Sequence, residues 1–276
     1  MKILLNEKEI EVAAGVEIIQ IAAEHKPDAD IFIRNGFPVN SSEILQENDT
    51  LVLIKRGEIP SLEDLDSLMS ARHSPGIHSK LKKACVGIAG CGGLGSTVAV
   101  ALARVGIGHL IIADYDVVEP SNLNRQQYFV DQIGMLKVEA LKINLDRINP
   151  NIKITTFASI LDSANIPLIF KSVDVLVEAF DKADQKAMLV ETAAVSFPYK
   201  PIVLGVGMAG YGASELLKTR PMGNWYVCGD EMTQAAPGHG LMAPRVGIVA
   251  HLQANLVMEI LLGKDKEIER INEGEK

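Results

Sequence analysis

Positive charge is scarce in this 276-residue chain: 27 Lys and Arg face 35 Asp and Glu, a net charge of −8. That balance argues against nucleic acid or an anionic membrane as the main partner, because both select basic surfaces. Cysteine is scarce too. Cys85, Cys91 and Cys228 are too few and too unevenly spaced for a disulfide framework, which fits a reducing compartment. Asn6, Glu7, Lys8 and Glu9 fall where a secretory leader would carry its apolar core, which predicts a cytoplasmic chain. Long apolar runs are also missing. The most hydrophobic late stretch, Met242 to Leu262, is broken by Arg245, His251, Gln253, Asn255 and Glu259, and so predicts an amphipathic or buried helix with no membrane span. His73 and His78 are the closest histidine pair, with no third group at metal-ligand spacing.

The chain does have apolar content, at 47% enough for one large core or two smaller ones. It also has glycine where glycine carries chemistry. Cys85 to Ala89 is an apolar run that reads as a buried strand, followed by the loop Gly90-Cys91-Gly92-Gly93-Leu94-Gly95. A helix is predicted from Ser96 to Val105, then a strand from His109 to Ala113 that ends on Asp114. Strand, glycine turn, helix, strand and acid, in that order, form the context of a dinucleotide fingerprint. Gly90, Gly92, Gly93 and Gly95 would let the backbone approach a phosphate at a helix N-terminus, and Asp114 would accept hydrogen bonds from a ribose. The competing reading is that these glycines serve only close helix–strand packing. The fold class expected is α/β, a Rossmann-like doubly wound domain.

The polar segment from Asp114 to Gln126 stands where a dehydrogenase would begin its next helix. Arg125 and Lys137 suit a triphosphate, whose charge must be neutralised, better than a nicotinamide. The motifs now read in order: Gly-x-Gly-Gly-x-Gly, the acid Asp114, Ser121-Asn122-Leu123-x-Arg125-Gln126, Gly134-x-x-Lys137-Val138, Arg147-Ile148-Asn149-Pro150 and Met242-Ala243-Pro244. Together they resemble the ThiF/MoeB/HesA group, related to ubiquitin-activating enzymes. The resemblance implies ATP- and Mg²⁺-dependent adenylation of the C-terminal carboxylate of a small β-grasp sulfur carrier. It implies catalytic roles for Arg125, Lys137 and Asp181, and nucleotide contacts from the four glycines, Asp114, Asn122, Arg125, Gln126 and Lys137. Asp181 follows a predicted strand, Asp174 to Ala179, where the family keeps an aspartate that binds or positions Mg²⁺. Capping the helix Lys182 to Val195 is its other possible role. Arg72 aligns with an arginine that reaches across a homodimer interface, and an ordinary surface ion pair is the alternative. Lys182 departs from an asparagine common in relatives.

Residues 1 to 57 read differently. Lys2 to Leu5 and Ile10 to Val12 form a hairpin pattern around a four-residue connection, Val16 to Ala23 a helix, and Ile31 to Ile33 and Leu51 to Ile54 further strands. This order resembles ThiS, a β-grasp carrier, fused before its own activating enzyme. The organisation expected is an α+β β-grasp domain over 1–57, a helical linker over 58–84, and the ATP-binding adenylation domain over 85–276. Ser61 is a candidate N-cap for the linker helix, with Asp64 at the reciprocal position.

Three further departures qualify the resemblance. Carriers of this type end in a free Gly-Gly carboxylate, whereas Lys55-Arg56-Gly57-Glu58 runs on into the linker, so this domain cannot be adenylated as it stands unless a protease cuts after Gly57; a docking or folding module is the other reading. Relatives often hold zinc on two Cys-x-x-Cys pairs; Cys228 alone remains, so no zinc is expected. The position of the frequent transfer cysteine falls at about Ala236, which removes a thioester step there. Cys228 is either sulfur-handling or a buried structural thiol. The loop from Gly229 to Leu241 reads as a mobile substrate crossover. The rival functions are an NAD-dependent dehydrogenase, a molybdopterin-type carrier as substrate, a dehydratase acting on threonylcarbamoyladenosine of tRNA, and a non-catalytic sulfur-transfer scaffold.

Overall fold

The computed structural model describes residues 1–70, 73 and 76–263. Arg72, the expected arginine finger, lies outside them. The chain divides into two compact units, Met1–His73 and Ser74–Lys276.

The first unit runs β1 (Lys2–Leu5), β2 (Lys8–Glu11), α1 (Ile18–His25), β3 (Ile31–Arg34), β4 (Phe37–Pro38), β5 (Thr50–Ile54) and α2 (Leu62–Ser70). Its sheet has the order β2-β1-β5-β3-β4, with β1 and β5 parallel at the centre. The period-two pattern places Ile3, Leu5, Leu51 and Leu53 in one core with Ile18, Ile21 and Ala22 of α1. The first hairpin is tighter than expected. Asn6 and Glu7, at φ 45° and 67°, make a two-residue turn, so β2 starts at Lys8. Asn35-Gly36 forms a second such turn and creates β4, a strand absent from the sequence reading. The Ser61 hydroxyl accepts the Asp64 N–H at 3.1 Å and donates to its carboxylate at 2.8 Å, which starts α2 as the sequence suggested.

The second unit runs α3 (Ile77–Leu81), β6 (Cys85–Ala89), α4 (Gly93–Arg104), β7 (His109–Ala113), α5 (Lys137–Ile148), β8 (Lys153–Phe157), α6 (Ile166–Ile169), β9 (Val175–Glu178), α7 (Ala183–Ser196), β10 (Ile202–Gly205), β11 (Lys218–Met222), β12 (Trp225–Gly229) and α8 (Ala243–Leu262). Seven strands form one sheet in the order β11-β12-β10-β9-β6-β7-β8. All neighbours are parallel except β11 and β12. Their apolar runs are covered on both faces, as a parallel sheet requires. Side chains of α4, α5 and α8 make one core, and those of α6 and α7 the other.

The chain leaves β6 in one direction, through α4 to β7 and β8, and returns to the other side of β6 as β9. Loops after β6 and β9 therefore diverge, opening a crevice at their carboxyl ends, the position where doubly wound folds bind ligands. α4 begins at Gly93, three residues earlier than the sequence indicated, because Gly93 and Gly95 form part of its first turn. By length and composition α8 could cross a membrane, yet it packs Val246, Val249, Ala250, Ala254 and Val257 into the core. Gln253 of α8 donates to Glu178 O at 3.0 Å, fastening the helix to the sheet.

Candidate active site

The glycine loop shows why each glycine is there. Gly90 adopts φ 97°, and a Cβ on it would lie 2.9 Å from Ala179 O. A Cβ on Gly95 would lie 1.8 Å from Gly90 O, so Gly95 is needed for the turn itself and does not line the cleft. Gly93 would press on Val246 at 2.9 Å. Gly92 is different: its Cβ would meet only Gln126 Nε2, at 3.9 Å, in a wall of the cleft. Packing thus explains Gly90, Gly93 and Gly95, whereas Gly92 leaves room for a ligand. Gly92 is also the N-cap of α4 and supplies no side-chain cap, so the first-turn N–H groups suit an anion. The Tyr128 hydroxyl donates to Cys91 O at 2.7 Å and steadies the loop.

The cleft has a volume of about 590 Å³. Its walls bring together Gly90, Gly92, Gly93, Asp114, Arg125, Gln126, Lys137 and Asp181. Asp114 accepts the Cys91 N–H at 2.6 Å and the Asp116 N–H at 2.8 Å. Burial raises its pKa, against the pull of those two N–H groups and Lys137. Lys137, only 6% exposed, opens α5 and pairs with Asp116 at 2.9 Å. Arg125 donates only to neutral acceptors, Ser121 O at 3.2 Å and Asn124 Oδ1 at 2.9 Å. Among the described residues no carboxylate pairs with it. Gln126 is buried and its Oε1 has no hydrogen-bond partner. Asp181 is exposed at the carboxyl end of β9, and Lys182, not Asp181, is the N-cap of α7.

Besides Gly95, a second expected contact lies outside the cleft walls. Asn122 is buried outside the cleft walls; its Oδ1 accepts the Glu119 N–H at 3.1 Å and its Nδ2 donates to Ser121 at 3.4 Å. Its amide is committed to the short 3₁₀ turn Pro120–Asn122, which carries Arg125 and Gln126 to the cleft.

A family model described as ThiF family matches residues 67–273. The chain belongs to the ThiF family. A model of ThiS-like ubiquitin matches residues 1–57. An adenylyltransferase and sulfurtransferase UBA4 from Eremothecium gossypii is 34% identical over 192 residues, covering 67% of this chain and 43% of that protein. An adenylyltransferase and sulfurtransferase MOCS3 from Culex quinquefasciatus is 31% identical over 194 residues, with the same coverage. The chain therefore spans less than half the length of these curated relatives. The E. coli tRNA N6-threonylcarbamoyladenosine dehydratase TcdA, solved with ATP, superposes with a TM-score of 0.65 over 72% of this chain and 94% of that one. At 19% identity it shows a shared fold. The microcin C7 biosynthetic enzyme MccB, in complex with N-formylated MccA, is 27% identical with a TM-score of 0.52, covering 67% of this chain and 59% of that one.

Two ion pairs on buried carboxylates brace the site of this ThiF-family chain, and neither belongs to a motif read from the sequence. The first joins Glu178 of β9 to Lys186 of α7, which lines the cleft. The second joins Asp230 to Arg245 at the start of α8. A charge inside an apolar run was the available signal: Glu178 follows Val175-Leu176-Val177, and Arg245 interrupts the last hydrophobic stretch. Asp230 also accepts the Met232 and Thr233 N–H groups, each at 2.8 Å, and the Thr233 hydroxyl at 2.8 Å. Arg245 donates as well to Gly212 O, so the segment after β12 is pinned at its base to the loop after β10. Within the expected crossover, Gly229 to Leu241, these bonds hold Asp230 to Thr233.

Burial pushes the Asp230 carboxyl up, but those N–H donors, the hydroxyl and Arg245 outweigh it and hold the pKa at about 2, below the ordinary 3.8. A depressed acid pKa contributes stability that is complete above the unfolded value and lost as pH falls toward the folded one. Unfolding free energy should fall by roughly 2 kcal/mol from this group between about pH 5 and 2 in urea titrations. The Asp230→Asn variant should lack that component. Cys228, fully buried at the end of β12, has its thiol pushed up to about 12 by burial and then by Glu259. At neutral pH it is a protonated core thiol, which favours the structural reading over sulfur handling.

Proposed function

We propose that the chain is an ATP-dependent adenylyltransferase activating the C-terminal glycine carboxylate of a ubiquitin-like sulfur carrier of the ThiS type, in thiamin biosynthesis. The observation that carries this reading is one cleft holding an open glycine turn, Asp114, the unpaired Arg125, Lys137 and the exposed Asp181. A carboxylate is already ionised at neutral pH, so the reaction needs alignment and charge stabilisation and no general base. Gly92 and the α4 N-terminus would receive phosphate oxygens, and Asp114 would accept from the ribose. Arg125 would stabilise charge on the departing pyrophosphate, with Lys137 released in part from Asp116 to share that load. The unpartnered Gln126 Oε1 calls for a donor from a ligand. An exposed carboxylate with no hydrogen-bond partner among the described residues fits Mg²⁺, so Asp181 would hold the ion together with phosphate oxygens. When bound, that ion neutralises part of the triphosphate charge.

A molybdopterin-type carrier is the second reading, favoured by relatives named adenylyltransferase and sulfurtransferase. Exchange of labelled pyrophosphate into ATP, driven in turn by Gly-Gly-ended carriers of the two types, separates them. Faster exchange with the ThiS-type carrier is expected. Exchange with neither carrier, alongside NAD⁺ binding, would overturn the assignment.

We assign the first unit a structural role, in stability or homodimer formation, and no role as substrate. Its segment after β5 is folded back: Arg56 N–H donates to Asp30 at 2.8 Å, Glu58 pairs with Lys26 at 2.7 Å, and Gly57 turns the chain at φ 80°. Removing residues 1–60 should lower the melting temperature or the fraction of dimer and leave calorimetric carrier affinity unchanged or weaker. Tighter carrier binding by the truncated chain would instead identify the unit as an intramolecular competitor.

A further inference from the structure

One cation in the cleft wall has every donor engaged by the protein itself. Lys186 sits in the first turns of α7 and lines the cleft, as a phosphate-binding lysine would. An ammonium group has three donors. Here they go to Glu178 Oε1 at 2.9 Å, Glu178 Oε2 at 2.8 Å and Gly205 O at 2.9 Å. Glu178 is 0% exposed, and a carboxylate so buried needs such a partner. Its Oε1 also accepts the Phe180 N–H at 2.7 Å, and its backbone oxygen accepts from Gln253 of α8. The pair thus ties together the turn that leads to Asp181, the start of α7 and the end of β10, all of which border the cleft.

Building on the adenylation reading, we infer that Lys186 and Glu178 are positioning residues: they fix the turn that aims Asp181 at the metal–phosphate group and do not touch the nucleotide. Outer partners that orient a metal-binding carboxylate typically control metal affinity by roughly 10- to 100-fold. Glu178 is fully buried and is not part of the cleft wall, so a loss of Mg²⁺-ATP affinity on its replacement arises without any contact to the nucleotide. This distinguishes positioning from direct contact.

The test uses the full chain and calorimetric titration of ATP with Mg²⁺ and, separately, with EDTA, alongside melting curves. For Lys186→Met and Glu178→Gln alike, Mg²⁺-ATP affinity should drop roughly 10- to 100-fold, while affinity for metal-free ATP changes by less than about threefold. If Lys186→Met does not fold, the neutral double variant Glu178→Gln/Lys186→Met is expected to show the same selective loss. Equal weakening with and without Mg²⁺ in Lys186→Met would make Lys186 a phosphate contact and overturn the proposal. So would unchanged or tighter Mg²⁺-ATP binding by Glu178→Gln or by the double variant. Failure of the wild-type chain to bind ATP at all would overturn the underlying adenylation reading, a result distinct from each of these.

Discussion

Replacing Arg125 with alanine should lower carrier-dependent pyrophosphate exchange by roughly 10²- to 10³-fold, about 3–4 kcal/mol of transition-state stabilisation. The magnitude follows from how Arg125 is held. Ser121 O and Asn124 Oδ1 orient the guanidinium from one side, and among the described residues no carboxylate neutralises it. Its charge is therefore available to the pyrophosphate at no cost of breaking an ion pair. Lysine at this position should recover little, because it offers a point charge in place of a planar fork. The melting temperature should hardly move, since Arg125 is half-exposed and makes only these two local bonds. Lys137→Ala should lower exchange too, with some loss of stability, since it strips Asp116 of its partner. An Arg125→Ala variant with full exchange activity would remove the residue from the mechanism.

Arg245→Met should give the largest loss of stability, roughly 3–5 kcal/mol, or about 6–20 °C in melting temperature by calorimetry. The Arg245 and Asp230 side chains are 4% and 1% exposed, so water cannot replace the missing partner. Asp230 would remain ionised, because its bonds to Met232 and Thr233 persist. Pairing the change with Asp230→Asn should recover part of the loss, as an uncharged group tolerates burial better. A drop below about 1 kcal/mol in the single variant would mean that water reaches the pair.

The regular elements that can be read from sequence are those fixed by local pattern. The runs Cys85–Ala89 and His109–Ala113 coincide with β6 and β7, because buried parallel strands must be continuously apolar. α4 starts ahead of the position its local pattern predicts: Gly93 and Gly95 disfavour helix by propensity, but tertiary packing needs a helix turn without side chains there. β4 leaves no trace in the sequence beyond its Asn-Gly turn, because a two-residue strand has no visible period. Most of the residues expected at the site line one cleft, since a motif spaced along strand, turn and helix encodes its own geometry. Asn122 shows the limit: a motif tells which residues recur, not whether each faces the ligand or holds up the turn. Glu178–Lys186 and Asp230–Arg245 join residues 8 and 15 positions apart across different elements, and no local pattern specifies such partners.

Transfer of an adenylyl group to a carrier is the central claim, and intact-mass spectrometry of the carrier reads it directly. The full chain, ATP, Mg²⁺ and a ThiS-type carrier ending in Gly-Gly should yield carrier heavier by one adenylyl group. The same carrier lacking its last glycine should stay unmodified. A carrier mass unchanged under both conditions, with ATP bound and intact, would contradict the account.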